Sequence, residues 1–120
     1  MKLLLDSAFP RAAADRGHSG VALERWDRGE RTDEELLLSA RAGGFDGVVF
    51  LGHSAAARKE IVELLKRDPV IAVVTNSDVP TQATRHLETA LRALKDSARP
   101  GQMWLVLATG PRRIHPAPEV

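Results

Sequence analysis

The apolar residues of this chain fall into short, unbroken runs, and the stretches between those runs have helical spacing. Val48 to Leu51 and Val70 to Val74 contain nothing but apolar side chains and are rich in β-branched residues. Such runs suit strands covered on both faces, as in a parallel sheet. Lys2 to Leu5 is a short, largely apolar run, and Met103 to Leu107 is another apolar run read as a strand. Between them, Ser54 to Arg67 places Ala57, Ile61, Leu64 and Leu65 on one helical face, and Pro80 to about Ala98 does the same with Ala83, Leu87, Ala90, Leu91 and Leu94. Strand, helix and strand in alternation imply βαβ crossovers and a sheet with helices on both sides. The sequence therefore predicts one α/β domain over residues 1–120, with three layers and a mostly parallel sheet.

Punctuation residues fill in the rest. Pro10 suits the first turn of a helix that runs from Arg11 to Arg16 and stops at Gly17. His18 to Leu23 reads as a weaker second strand, with Val21 and Leu23 on one face, and the charged segment Arg25 to Arg31 as a loop. Thr32-Asp33-Glu34-Glu35 has the form of a capping box, opening a helix whose inner face is Leu36, Leu37 and Ala40 and whose end is Gly43-Gly44. After Gly110-Pro111 turns the chain, Ile114 continues in a short antiparallel edge strand closed by Pro116 and Pro118.

Size and charge narrow the function classes. At 120 residues the domain can bury a core without covalent staples. The absence of cysteine excludes thiolate catalysis, zinc–thiolate sites and disulfides. A net charge of +1 argues against strong non-specific nucleic-acid binding. No apolar run is long enough to span a bilayer, and Met1-Lys2-Leu3-Leu4-Leu5-Asp6 lacks the apolar core of a signal peptide. The expected location is cytoplasmic, with no membrane partner. Abundant Ala and Arg with little Lys suggest a GC-rich bacterial genome.

In a sheet of this kind, sites form at the carboxyl ends of strands. Those ends are Asp6-Ser7, the region near Glu24, Gly52-His53-Ser54, Thr75 to Asp78, and Thr109. Gly52-His53-Ser54 matches most of the G-x-S-x-G elbow of serine hydrolases, with Ala56 in place of the last glycine. The partners available in the order Ser, acid, His are Asp78 followed by His86 or His115, and no spacing brings either histidine to Ser54. Helix-start chemistry accounts for the serine more simply, because Ser is a favoured N-cap.

The motifs in succession resemble a known family. K-L-L-L-D-x-x-x-P opens the chain, G-H precedes the second strand, T-D-E-E-L-L opens a helix, and V-L-A-T-G-P-R-R-I-H-P lies near the end. Together they resemble the small PIN-like proteins, relatives of the toxin nucleases, over nearly the whole chain. The resemblance implies a three-layer α/β/α PIN-like fold with a C-terminal antiparallel edge strand. It also implies a metal-dependent endoribonuclease, often the toxin of a toxin–antitoxin pair, using Mg²⁺ or Mn²⁺ held by carboxylates. Hard divalent cations take oxygen ligands, and the bound ion activates water and stabilises charge on the phosphodiester.

Carried over position by position, Asp6 matches the family's first acid, while Ser7 stands where a second acid is common. Asp33 and Glu34 match the acidic start of the second helix. After the third strand, where the family reads T-R-D-x-D-F, this chain has Leu51-Gly52-His53-Ser54-Ala55-Ala56 and no acid. The resemblance thus assigns metal ligation to Asp6, Asp33 and Glu34, with Asp78 as a late acid and His53 as a general acid or replacement ligand. Each has a plainer alternative. Asp6 could cap a turn, Asp33 and Glu34 could complement the helix dipole, and Asp78 could cap the helix at Pro80. Asp46 should lie at the opposite rim. Arg11, Arg25, Arg28, Arg31, Arg58 and Lys59 could contact phosphates, and Trp26 could stack on a base or fold onto the core.

Three readings follow from these residues: a PIN-like ribonuclease with a depleted acidic site and an RNA substrate, a PIN-fold binding domain without catalysis, and a serine hydrolase using Ser54. The partners these readings allow are RNA, a small antitoxin protein and a second copy of the chain.

Overall fold

A computed structural model of the chain describes residues 1–17, 19–29 and 32–117. Six strands form one sheet: β1 (Lys2–Leu5), β2 (Ala22–Arg25), β3 (Gly47–Phe50), β4 (Ile71–Thr75), β5 (Met103–Leu107) and β6 (Gly110–His115). Their order is β2-β1-β3-β4-β5-β6, and every pair is parallel except β5–β6. Three helices follow strands β2, β3 and β4: α1 (Asp33–Ala42), α2 (Ala55–Arg67) and α3 (Pro80–Ser97). A 3-10 helix at Arg11–Arg16 joins β1 to β2. No helix among the described residues is long and apolar enough to cross a membrane.

Strand alternation divides the core into two halves. Leu3, Leu5, Val49, Ile71, Val73 and Val106 face one layer, where they meet Phe9, the 3-10 helix and α3. Leu4, Val48, Phe50, Ala72, Val74 and Met103 face the other, where they meet α1 and α2. The architecture is α/β/α, as the alternation of runs and amphipathic segments predicts. The inner face expected of α3 is buried throughout, with Ala83, Leu87, Ala90, Leu91 and Leu94 no more than 1% exposed. Truncating Leu87 to alanine there would cost about 2–5 kcal/mol. In α1, Leu36, Leu37 and Ala40 are buried as expected, whereas in α2 only Ile61 and Leu65 are fully so, and Leu64 lies at the margin.

Two local expectations need correction. The second strand is Ala22–Arg25 rather than His18–Leu23. Its start is delayed by Ser19 and Gly20, both at positive φ, which turn the chain before it can pair, and His18 lies outside the described residues. The helix expected at Arg11–Arg16 is present with those bounds and is of the 3-10 type. Only Ala13 is buried on it, so it has too little apolar surface to hold a longer element. The last strand begins at Gly110 itself and runs six residues, because the turn occupies Ala108-Thr109 instead of Gly110-Pro111. Of the charged loop, Glu30 and Arg31 lie outside the described residues, as does Pro118.

Gly47 shows why a parallel sheet this tight starts β3 with glycine. A Cβ there would stand 2.4 Å from the Ile71 carbonyl oxygen and 3.0 Å from Leu3. At the same rim, the Asp46 carboxylate accepts a hydrogen bond from the Lys2 backbone N–H at 2.7 Å, at the opposite end of the strands from the candidate site as expected.

Candidate functional site

The strand order places a switch point between β1 and β3. From β1 the chain leaves for β2 on one side, and after β2 it returns through α1 to β3 on the other. Crevices of this kind open at the carboxyl ends of the strands. Here the crevice is closed by Asp6. Its Oδ2 accepts from the Leu51 backbone N–H at 3.1 Å and its Oδ1 from Ala8 N–H at 2.5 Å. The Asp6 backbone N–H in turn donates to the Val49 carbonyl at 3.0 Å. One carboxylate therefore ties the end of β1 to the end of β3 and turns the chain toward Phe9.

Next to this tie lies His53. Its Nε2 stands 3.1 and 3.0 Å from the two oxygens of Asp33, and its Nδ1 stands 2.9 Å from the Gly52 carbonyl oxygen and 3.3 Å from that of Leu51. All four partners are acceptors. A neutral imidazole has one N–H and would leave one nitrogen's lone pair against an acceptor, so the doubly protonated ring is the form that satisfies the site. The ring is 15% exposed and packs at a tilt on Phe50, with centroids 5.3 Å apart. Burial by itself lowers the histidine pKa. The hydrogen bond and charge of Asp33, with the two carbonyls, outweigh it and raise the pKa above 6.5. Asp33 is the first residue of α1, held in place because Thr32 Oγ1 accepts from the Glu35 backbone N–H at 3.1 Å. The His53–Asp33 contact therefore fastens the start of α1 to the loop after β3.

A second tie reaches β4. Thr75, buried at the end of that strand, accepts from the Gly52 N–H at 3.0 Å and donates to the Ser77 carbonyl at 2.9 Å. Gly52 has φ +47°, and a Cβ on it would stand 2.8–2.9 Å from Cβ and Cα of Asp78. The loops after β3 and β4 are thus pressed together, and only glycine fits the contact.

Sequence reasoning placed Thr75 at a strand's carboxyl end and Arg25 among possible phosphate contacts, but foresaw the bonds of neither. A hydroxyl ending a buried apolar run was the available signal for Thr75, since buried polar groups must find partners. Arg25 donates to the Phe9 carbonyl at 2.6 Å and the Ser7 carbonyl at 2.7 Å and pairs with Asp27. It clamps the loop after β1, so it is committed to the fold rather than offered to phosphate. Arg28 lies over the Trp26 ring, and Trp26 packs against the α1–α2 core while its Nε1 donates to the Gly29 carbonyl at 3.1 Å.

The expected acids are distributed unevenly over this rim. Asp6 and the Asp33–His53 pair are neighbours through Leu51 and Gly52. Glu34 points elsewhere and pairs with Arg67 at 3.3 Å. Asp78 is exposed and reaches the rim through its backbone contact with Gly52. It does not cap α3. The N-cap there is Val79, and Ser77 Oγ accepts from its backbone N–H at 3.1 Å. Among the described residues, no group of three or more His, Asp or Glu side chains stands close enough to hold a metal ion. The side chains at this rim are engaged with one another and with the backbone. Each Asp6 oxygen accepts one backbone N–H, Asp33 faces His53, and His53 turns both nitrogens to acceptors.

Ser54 is the N-cap of α2, its Oγ accepting from the Ala57 backbone N–H at 3.2 Å. The histidine beside it in sequence faces Asp33 instead. His86 sits on α3, whose buried residues pack on the other face of the sheet, and His115 is the last residue of β6. No protein-family model matches the chain, and no match was found among curated proteins or solved structures.

Proposed function

We propose that the chain is a PIN-like domain that has exchanged metal chemistry for a fixed ion pair and works by binding rather than by catalysis. The observation that carries this reading is the His53–Asp33 contact. In the PIN-like pattern an acidic loop follows the third strand. Here that loop supplies a cation, which neutralises the acid at the start of α1 with Nε2–O distances of 3.0–3.1 Å. Two-metal phosphodiester chemistry needs free carboxylate oxygens facing one point. Asp6 spends its oxygens on backbone N–H groups, and Glu34 pairs with Arg67. The sheet, the capped helix and the switch-point crevice supply a rigid scaffold on which a partner can dock.

The test is a titration of the purified chain with Mn²⁺ and Mg²⁺, followed by calorimetry, beside an assay on structured RNA. The expected result is no saturable metal binding at millimolar concentration and no cleavage above the blank. Metal-dependent cleavage that disappears in Asp6→Asn would overturn the proposal and restore the nuclease. Labelling of Ser54 by a fluorophosphonate would restore the hydrolase.

A further inference from the structure

On the α1–α2 side, the helical layer stops before the sheet does. α3 crosses to the opposite layer, so the β5–β6 hairpin presents its α2-side residues without a covering helix among the described residues. The gap is a groove of about 690 Å³ running beside the first half of α2, open along its length. Its floor is apolar, made of Val62 from α2, Met103 from β5 and Ile114 from β6. Val62, Ile114 and the nearby Leu105 pack on the core cluster yet stay only partly buried.

The rim is cationic. Arg58 and Lys59 border the groove on α2. Arg112 lies directly across from Leu105 in the antiparallel register, and therefore on the same face of the hairpin. None of these three forms an ion pair among the described residues, and the acid on the groove, Glu63, is paired to Lys66 at 2.9 Å.

We propose that this groove receives an acidic amphipathic helix of a partner protein. Apolar residues at i, i+3, i+4 and i+7 pack on Val62 and Ile114 above the buried Met103, and flanking carboxylates meet Arg58, Lys59 and Arg112. The proposal rests on reading the chain as a binding domain and supplies the chemistry of its partner. A helix completes the layer that the fold leaves short, with the recognition mode of an amphipathic helix in an apolar groove. Strand addition at the edge is disfavoured, because Pro111 and the two arginines blunt β6 for pairing. A second copy of the chain would bring its own uncompensated cations to the same place, at an electrostatic cost that an acidic helix avoids.

The probe is a fluorescein-labelled synthetic helix of about 18 residues, long enough to hold helical structure, with leucines on one face and glutamates on the flanks. Fluorescence anisotropy against the full chain should show saturable binding that weakens as salt is raised. The double change Arg58→Glu and Lys59→Glu, on the helix surface, should weaken it about tenfold, and a probe with lysine in place of glutamate should then regain affinity. Ile114→Glu, checked for folding by circular dichroism, should abolish binding. No saturation up to about 1 mM probe, or affinity indifferent to the charge reversal, overturns the proposal. So does a dimer in sedimentation equilibrium that Ile114→Glu dissolves, which gives the groove to a second copy instead. These readings are separate from the metal titration, so metal-dependent cleavage with intact probe binding would sink only the noncatalytic reading.

Discussion

Replacing Asp33 by asparagine should destabilise the domain in a pH-dependent way, and the size of the effect follows from the geometry. Nε2 of His53 lies 3.0 and 3.1 Å from the two oxygens of Asp33. At an effective dielectric near 20, opposite charges about 4 Å apart attract by about 4 kcal/mol before desolvation is counted. The ring is 15% exposed and the carboxylate 34%, so the net value falls between that of an exposed ion pair and that of a buried charged hydrogen bond. Those limits are about 0.2–1 and about 1.5–3 kcal/mol, which places the pair near 1–2 kcal/mol. At this chain length 1 kcal/mol corresponds to about 4 °C, so Asp33→Asn should lower Tm by about 4–8 °C at pH 5.5. The folded ring holds its proton more tightly than the unfolded one. The contribution is therefore complete below pH 6.5 and is lost as pH rises through the raised folded value. In alkaline solution the substitution should cost only the helix-dipole contribution of an acid at the first position of α1, about 0.3–1 kcal/mol. Urea denaturation of the wild type, Asp33→Asn and His53→Gln at pH 5.5 and 9 measures this directly, and the imidazole proton shifts in NMR should show the His53 pKa falling in Asp33→Asn. Equal destabilisation at both pH values, or the same pH dependence in His53→Gln as in wild type, would refute the argument.

Three further outcomes are expected. Asp6→Asn should destabilise by about 1–3 kcal/mol in urea denaturation, because an amide has one acceptor for the two N–H groups of Ala8 and Leu51. A carboxylate in a crowded acidic cluster would behave oppositely, since losing its charge would relieve repulsion, and a neutral or stabilising result would count for the metal site. Gly52→Ala should cost about 1–3 kcal/mol, because its φ of +47° is strained for alanine and its Cβ would press on Asp78. Hydrogen exchange at the ends of β3 and β4 should rise together in that variant. Ser54→Ala should lose a helix cap, about 1 kcal/mol by thermal unfolding.

The strands and helices could be read from the sequence because each has a period or a run that only one element satisfies. Leu87, Leu91 and Leu94 needed nothing beyond helical spacing. The errors fell where little apolar surface is at stake. The strand expected at His18–Leu23 moved to Ala22–Arg25, since a left-handed turn at Ser19-Gly20 overrides a weak apolar pattern. At the site, position along the fold was legible and pairing was not. Asp6 and His53 could be placed on one rim from strand ends alone, whereas Asp33 was assigned there only through the family resemblance. That Nε2 of His53 would turn to Asp33, and Glu34 away to Arg67, depends on rotamers and on α2 standing beside α1. Arg25 shows the same limit, because an arginine in a charged loop gives no sign that two carbonyls from a distant turn await it.

The Asp6–Leu51 bond joins positions 45 residues apart, whereas β5 and β6 meet across a two-residue turn. Contacts that close long loops form slowly, and local ones form early. The hairpin at one end of the sheet can therefore assemble while β1, a run of three leucines, still waits for its second neighbour. The seam between β1 and β3 should be among the last to close during folding, so the crevice holding Asp6 and His53 should be a late and sensitive reporter of completed assembly.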